Sequence, residues 1–148
     1  MPGLKDYKPL RLMAADAEDL GVLSACLQDA VMKVGDFAWI PAERRFAFVA
    51  NRFLWEKAEG KGPFFRTRSG AHFDDVRAVK QINIRNDAKD AVLEILALSF
   101  EPGTDGGGAV VFAFAGGGAI RLDVDSVNAE LRDLTEPWPT RAKPAHKT

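Results

Sequence analysis

From Val31 to Val124 apolar and polar residues trade places at nearly every step, and this period of two restricts most of the chain to β-structure. The cleanest run holds Val76, Ala78, Ile82 and Ile84 on one parity and Arg77, Gln81, Asn83 and Arg85 on the other, the pattern of a half-buried strand. Ile120, Leu122 and Val124 alternate with Arg121, Asp123 and Asp125 in the same way. Phe37 to Ile40 and Arg45 to Trp55 predict a hairpin about Pro41-Ala-Glu-Arg44, because proline presets φ in a tight turn. In its second arm the apolar positions move from Phe46 and Phe48 to Phe53 and Trp55, a parity change that predicts a β-bulge near Ala50 and Asn51. Ala91 to Phe100 is apolar on both parities and predicts a central strand covered on both faces. Ala109 to Phe114 adds another strand, and glycines at 106–108 and 116–118 mark hairpin turns. The last four strands, taken in order, predict an antiparallel meander.

One segment before this region has a different period. Leu20, Leu23, Leu27, Ala30 and Val31 form an apolar stripe at helical spacing, which predicts a helix over 17–29. Asp16 stands where an N-cap belongs, and Glu18 and Asp19 favour the first turn through the helix dipole. Leu10 to Met13 predicts a short first strand. Val127, Leu131 and Leu134 fit a short C-terminal helix capped by Ser126, although Val127, Ala129 and Leu131 also fit a strand. The fold class expected is therefore α+β: an antiparallel meander or curved sheet covered by the N-terminal helix, with a pleckstrin-homology-like roll as one version. Residues 1–136 are expected to form a single globular domain, and 137–148 a flexible tail.

A chain of 148 residues can bury roughly 70% of its unfolded surface, so it needs neither disulfide nor metal to fold. Its single cysteine, Cys26, fits a reducing compartment. The first residues lack the apolar stretch of a signal peptide, and no apolar run approaches the ~20 residues of a membrane helix, so a cytoplasmic protein without membrane partners is expected. The net charge of −1 conceals an asymmetry. Residues 41–89 carry eleven Lys or Arg against six Asp or Glu, and residues 90–136 carry two against nine. Oppositely charged neighbouring strands explain this simply, whereas a basic face for phosphate or nucleic acid is the functional alternative.

Three groups of residues point to a family. They are Leu27-Gln-Asp-Ala30 with Val34-Gly-Asp36, Glu43 to Val49 with Asn51-Arg-Phe53, and Gly117 to Leu122 with Leu131-Arg-Asp-Leu134. Together they resemble an uncharacterised alphaproteobacterial family, the domain of unknown function 2948, over about residues 8–138. The resemblance implies a bacterial cytoplasmic domain and transfers no catalytic residue, cofactor or site.

The candidate chemistry is sparse. His72 and His146 are the two histidines. His72 lies near Asp74 and Asp75, yet neighbours at a strand start alternate sides, so a His–Asp pair is not expected. Cys26 sits on the flank of the helix stripe and reads as a core thiol rather than a nucleophile. No cysteine or histidine spacing suits a metal, the glycine clusters sit between strands rather than before a helix as a phosphate loop requires, and no cofactor is expected. Asp123, Asp125, Glu130 and Asp133 form an acidic run better explained by basic cross-strand neighbours. The long connection 57–70 stands apart, since Phe64, Phe65, Arg66 and Arg68 set arginines beside aromatics, with Lys57 and Lys61 before them. Phe64, Phe65, Arg66, Arg68 and His72 are accordingly the expected ligand-binding residues, and no residue is assigned as catalytic. The expected function is a non-enzymatic binding or interaction module, with a protein partner or a second copy of the chain as its partner. One alternative is an anionic, phosphate-bearing ligand or RNA on the basic loop. Another is a small-molecule enzyme using carboxylates.

Overall fold

A computed structural model describes residues 6–58, 60–141 and 143–144. Its strands are β1 (Arg11–Ala14), β2 (Val31–Lys33), β3 (Phe37–Ile40), β4 (Arg45–Phe53), β5 (Phe64–Phe73), β6 (Val76–Ile82), β7 (Val92–Pro102), β8 (Gly108–Phe114), β9 (Ala119–Val124), β10 (Ala129–Asp133) and β11 (Trp138–Thr140). One helix, α1 (Ala17–Leu27), lies between β1 and β2. Asp16 caps it, accepting a hydrogen bond from the Asp19 N–H at 2.8 Å, while Asp19 accepts one from Ala15 N–H at 2.9 Å. Leu20, Leu23 and Leu27 are its buried face. The structure is thus α+β, mostly antiparallel sheet with a single helix.

The strands follow the order β1-β10-β5-β4-β2-β7-β8-β9-β6, with β3 beside β4 and β11 beside β5, and every pairing is antiparallel. One residue pair, Val31 with Asn51, joins β2 to β4. β5 lies mid-sheet and β6 at its far end, yet two residues connect them. The sheet must therefore curl until β6 approaches the start of β4, and Val76 N–H reaches the Arg44 carbonyl at 3.0 Å. It remains open, with α1 against β7, and both halves feed one core. Phe112 is its hub: its ring lies 5.9, 5.4 and 5.6 Å from those of Phe46, Phe48 and Phe73 in edge-on contacts that aromatic quadrupoles favour.

Several expectations are corrected. β4 carries no bulge at Ala50 and Asn51, because its register with β5 runs unbroken from Phe46 to Phe53. The inward parity simply continues through Ala50 to Arg52, whose guanidinium is fully buried. The second half of the connection 57–70 is strand, since β5 begins at Phe64 and alternates without fault to Phe73. The bulge lies in β6, between Val76 and Ala78. It turns Val79 toward the core and leaves Ile82 exposed. β7 is not covered on both faces, because Val92 and Leu96 are exposed. β6 borders β9 rather than β7, so only β7, β8 and β9 form a meander. The segment 126–134 contains β10 and no helix, with Val127, Ala129, Leu131 and Asp133 facing in. Within the expected tail, Trp138–Thr140 pair with β5, while positions 142 and 145–148, which include His146, lie outside the described residues.

A buried ionic cluster locks β4, β5 and β10 together. Arg52 donates from Nε and Nη2 to the two oxygens of Asp133 at 2.8 and 2.9 Å, and from Nη1 and Nη2 to Glu56 at 3.1 and 2.9 Å. Asp133 also accepts from Ser69 Oγ at 2.7 Å, Tyr7 OH at 2.6 Å and Leu10 N–H at 2.9 Å. Burial alone would raise the Asp133 pKa, but these donors outweigh it and hold the carboxyl at about 2. Burial and the Asp133 charge together push the Tyr7 phenol upward, which keeps it a donor. The Arg52 pKa is raised despite its burial, because both carboxylates oppose the desolvation.

Two predictions follow from the packing. Phe112→Ala should cost about 3–5 kcal/mol in denaturant unfolding, as a truncated core aromatic does; a loss below about 1 kcal/mol would contradict its central position. The second concerns acid. Asp133 has a folded pKa below its unfolded value of about 3.9, so its contribution is present above that value and fades as pH falls toward 2. About 2–3 kcal/mol of stability should disappear over that window, and Asp133→Asn should flatten this part of the curve while lowering stability at neutral pH.

Candidate functional site

The outer face of β3, β4, β5 and β10 follows directly from the register, because paired residues of antiparallel strands share a face. One row reads Met13, Glu130, His72, Ala47 and Ala38 across β1, β10, β5, β4 and β3. The next reads Arg11, Arg132, Gly70 and Val49. The long side chains thus stand toward β1 and β10, and the small residues Gly70, Ala47 and Ala38 toward β5, β4 and β3. The result is a shallow trough of about 350 Å³, a volume at the small end of ligand sites. Ala47 and Gly70 make its floor, Ile40 and Leu134 its apolar walls, and Arg45, His72, Glu130 and Arg132 its polar rim. A Cβ added at Gly70 would lie 3.2 Å from Leu134 Cδ1, so glycine here keeps the trough open.

His72 is the one expected site residue that the structure brings to this trough. Its Nδ1 is buried 3.1 Å from Asp74 Oδ2, at an angle that makes no hydrogen bond, and its Nε2 stands 3.8 Å from Glu130 Oε1. This corrects the expectation that His72 and Asp74 stay apart. Residues two apart share a side, and the left-handed Asp75 turns the chain immediately after them. Arg45 binds the same Asp74, Nε to Oδ1 at 2.7 Å. Among the described residues no Ser, Thr, Cys or Tyr lines the trough.

The other expected site residues are engaged elsewhere. Phe65 is buried, and Phe64 packs 5.9 Å from Phe53. Arg66 donates from Nη1 to the carbonyls of Asp29 and Asn51 at 3.2 and 3.0 Å and lies over the Phe53 ring; burial lowers its pKa. Arg68 donates to Asn51 Oδ1 at 3.3 Å and faces Asp36 at 3.7 Å. Phe64, Arg66 and Arg68 share the outer face of β5 with Gly70 and His72, while Phe65 faces in; Arg66 and Arg68 are engaged by Asp29, Asn51 and Asp36 rather than open to a ligand. Cys26 is half-buried against the core, and burial raises its thiol pKa.

A larger hollow of about 610 Å³ lies under the loop 103–107, lined by Arg77, Glu101, Arg121, Asp123 and Asp125 among others. Its charges answer one another. Arg121 pairs with Glu101 at 2.9 Å and with Asp123 at 3.2 Å, and Asp125 pairs with Arg44 and Arg77. It lacks the apolar floor of the trough. The acidic run therefore divides, with Asp123 and Asp125 on basic cross-strand neighbours, Asp133 buried on Arg52, and Glu130 at the trough. Among the described residues no group of His, Cys, Asp and Glu could hold a metal, and no helix is long and apolar enough to cross a membrane.

The trough residues that sequence reasoning missed are Ala47, Gly70 and Arg132, and only cross-strand register could have united them with His72 and Glu130. The rim pairs are half-exposed, so they are worth little to the fold. Asp74→Asn should cost less than about 1 kcal/mol in denaturant unfolding; a larger loss would make the His72–Asp74–Arg45 group a structural element like the Arg52 cluster.

No curated protein and no solved structure matches the chain. A family comparison does match, over residues 10–146, nearly the whole length. The chain belongs to the DUF2948 family, described as proteins of unknown function.

Proposed function

We propose that this chain is a non-enzymatic binding module of a bacterial cytoplasm, and that its ligand lies in the trough on the outer face of β3, β4, β5 and β10. The observation that carries the reading is a concave floor of Ala47 and Gly70 between apolar walls, with rim charges the fold does not need. Small floor residues give an apolar ligand part direct contact with the sheet, and the rim supplies orientation. The chemistry around His72 supports binding over turnover. An imidazole beside a carboxylate could activate a nucleophile, but among the described residues the trough offers neither hydroxyl nor thiol to receive that help. The engagement of Phe65 and Arg66 in internal contacts favours the trough over an RNA platform on residues 57–70.

The test uses the ¹⁵N-labelled full chain and a set of small aromatic and aliphatic fragments. Binding should shift the amides of Ala47, Gly70 and Ala71, with no fragment chemically altered. Gly70→Leu should abolish those shifts by filling the trough. Its effect on stability should stay within about 1 kcal/mol, because the exposed Leu134 side chain can move aside. Shifts confined to another surface, or turnover lost in His72→Ala, would overturn the reading.

A further inference from the structure

Arg11 and Arg132 stand directly opposite one another in the β1–β10 register, on the same outer face. Like charges in such a pair repel and weaken the sheet. The usual remedy is a carboxylate for each, but among the described residues both lean on the single carboxylate of Glu130. Arg11 Nη2 lies 3.3 Å from Glu130 Oε2, and Arg132 Nη2 lies 3.4 Å from Oε1. His72 Nε2 approaches the same group at 3.8 Å. None of these contacts reaches the 2.7–2.9 Å of a strong charge-assisted hydrogen bond. The contrast with Arg45, at 2.7 Å on Asp74, and with Arg52, bidentate on two carboxylates, is plain. The Arg11 and Arg132 side chains are 63% and 52% exposed, so their donors remain open to an incoming group. Arg132 lines the trough opposite Gly70, and Arg11 stands one strand further out.

We infer that Arg11 and Arg132 form an oxyanion site on the rim of the trough, so that its ligand is a small carboxylate- or phosphate-bearing molecule whose apolar part lies over Gly70 and Ala47. This rests on the trough being the binding site. An anion between the two guanidiniums supplies the negative charge that Glu130 alone cannot, and removes a repulsion the empty protein carries. Two planar donor forks side by side suit a planar or tetrahedral oxyanion. The apolar floor then selects for what the anion is attached to.

The probes are phenyl phosphate, benzoate and uncharged benzyl alcohol, titrated separately into the ¹⁵N-labelled full chain at low salt. Either anion should shift the Gly70 and Arg132 amides, and the stronger of the two tells phosphate from carboxylate. Benzyl alcohol should bind at least about tenfold more weakly, the loss of one charge-assisted contact. Arg11→Gln and Arg132→Gln should each weaken the anion by a similar factor, and added salt should weaken it further. A second readout needs no ligand: with the repulsion relieved, Arg132→Gln should unfold at the same or a higher denaturant midpoint than the natural chain. A lower midpoint would make Arg132 a structural residue and overturn the inference. Equal binding of all three probes at Gly70, unaffected by either variant, would overturn the oxyanion site while leaving the trough intact. No shift at Gly70 or Ala47 with any probe would remove both.

Discussion

The pairing of Arg52 with Asp133 is the constraint on which the rest of this half of the sheet depends. Both side chains point inward from strands that do not touch each other, β4 and β10, with β5 between them. Taking the two charges out of water costs several kcal/mol for each ion, and only near-complete satisfaction makes that tolerable. The cluster achieves it. Four guanidinium contacts go to two carboxylates, and Asp133 gathers three further donors from β5 and the segment leading into β1. A slip of one residue in either strand would expel Arg52 or Asp133 to the opposite face and leave its partner buried and unpaired. The cluster therefore specifies register more than it adds net stability.

That register is what builds the trough on the reverse side of the same strands. With Asp133 fixed inward, Glu130 and Arg132 must face outward, and with Ser69 inward, Gly70 and His72 must face outward. The outer face is therefore a consequence of the inner one. Its small residues Ala47 and Gly70 are diagonal neighbours on one face only because β4 and β5 run without a bulge from Phe46 to Phe53.

The same cluster explains what the sequence concealed. Apolar periodicity, helical before residue 30 and of period two after it, found the helix, the β3–β4 hairpin and most strands of the second half, because apolar inward residues announce them. It failed where the inward residue is charged or small. In β4 the inward position after Ala50 is the charged Arg52, so the apolar residues alone mimic the parity change of a bulge where the register is unbroken. In β5 the inward residues are Phe65, Thr67, Ser69, Ala71 and Phe73, and the polar pair at their centre disguised a central strand as a loop. In β10 the inward Asp133 broke an alternation that a helical stripe then appeared to fit better. The site suffered in turn. His72 was legible as a histidine near acids, but its partners Glu130 and Arg45 come from other strands.

The charge asymmetry of the sequence completes the argument. The basic 41–89 and acidic 90–136 stretches meet across the sheet, as Arg52 with Asp133, Arg44 and Arg77 with Asp125, and Lys80 with Asp123. Cross-strand neutralisation of this kind accounts for most of the imbalance and leaves little field for long-range attraction of a polyanion. Where it stops is at the outer edge of β10. There the acidic stretch contributes an arginine of its own, Arg132, and β1 brings Arg11 to face it rather than a carboxylate. A sheet that elsewhere answers charge with charge thus leaves one short row unanswered, beside the only concave surface described here that has an apolar floor. Two guanidiniums sharing one carboxylate leave a local excess of a single charge, too small to capture a nucleic acid by counterion release, which needs many contacts at once. It is the right size for a single anionic group held at short range.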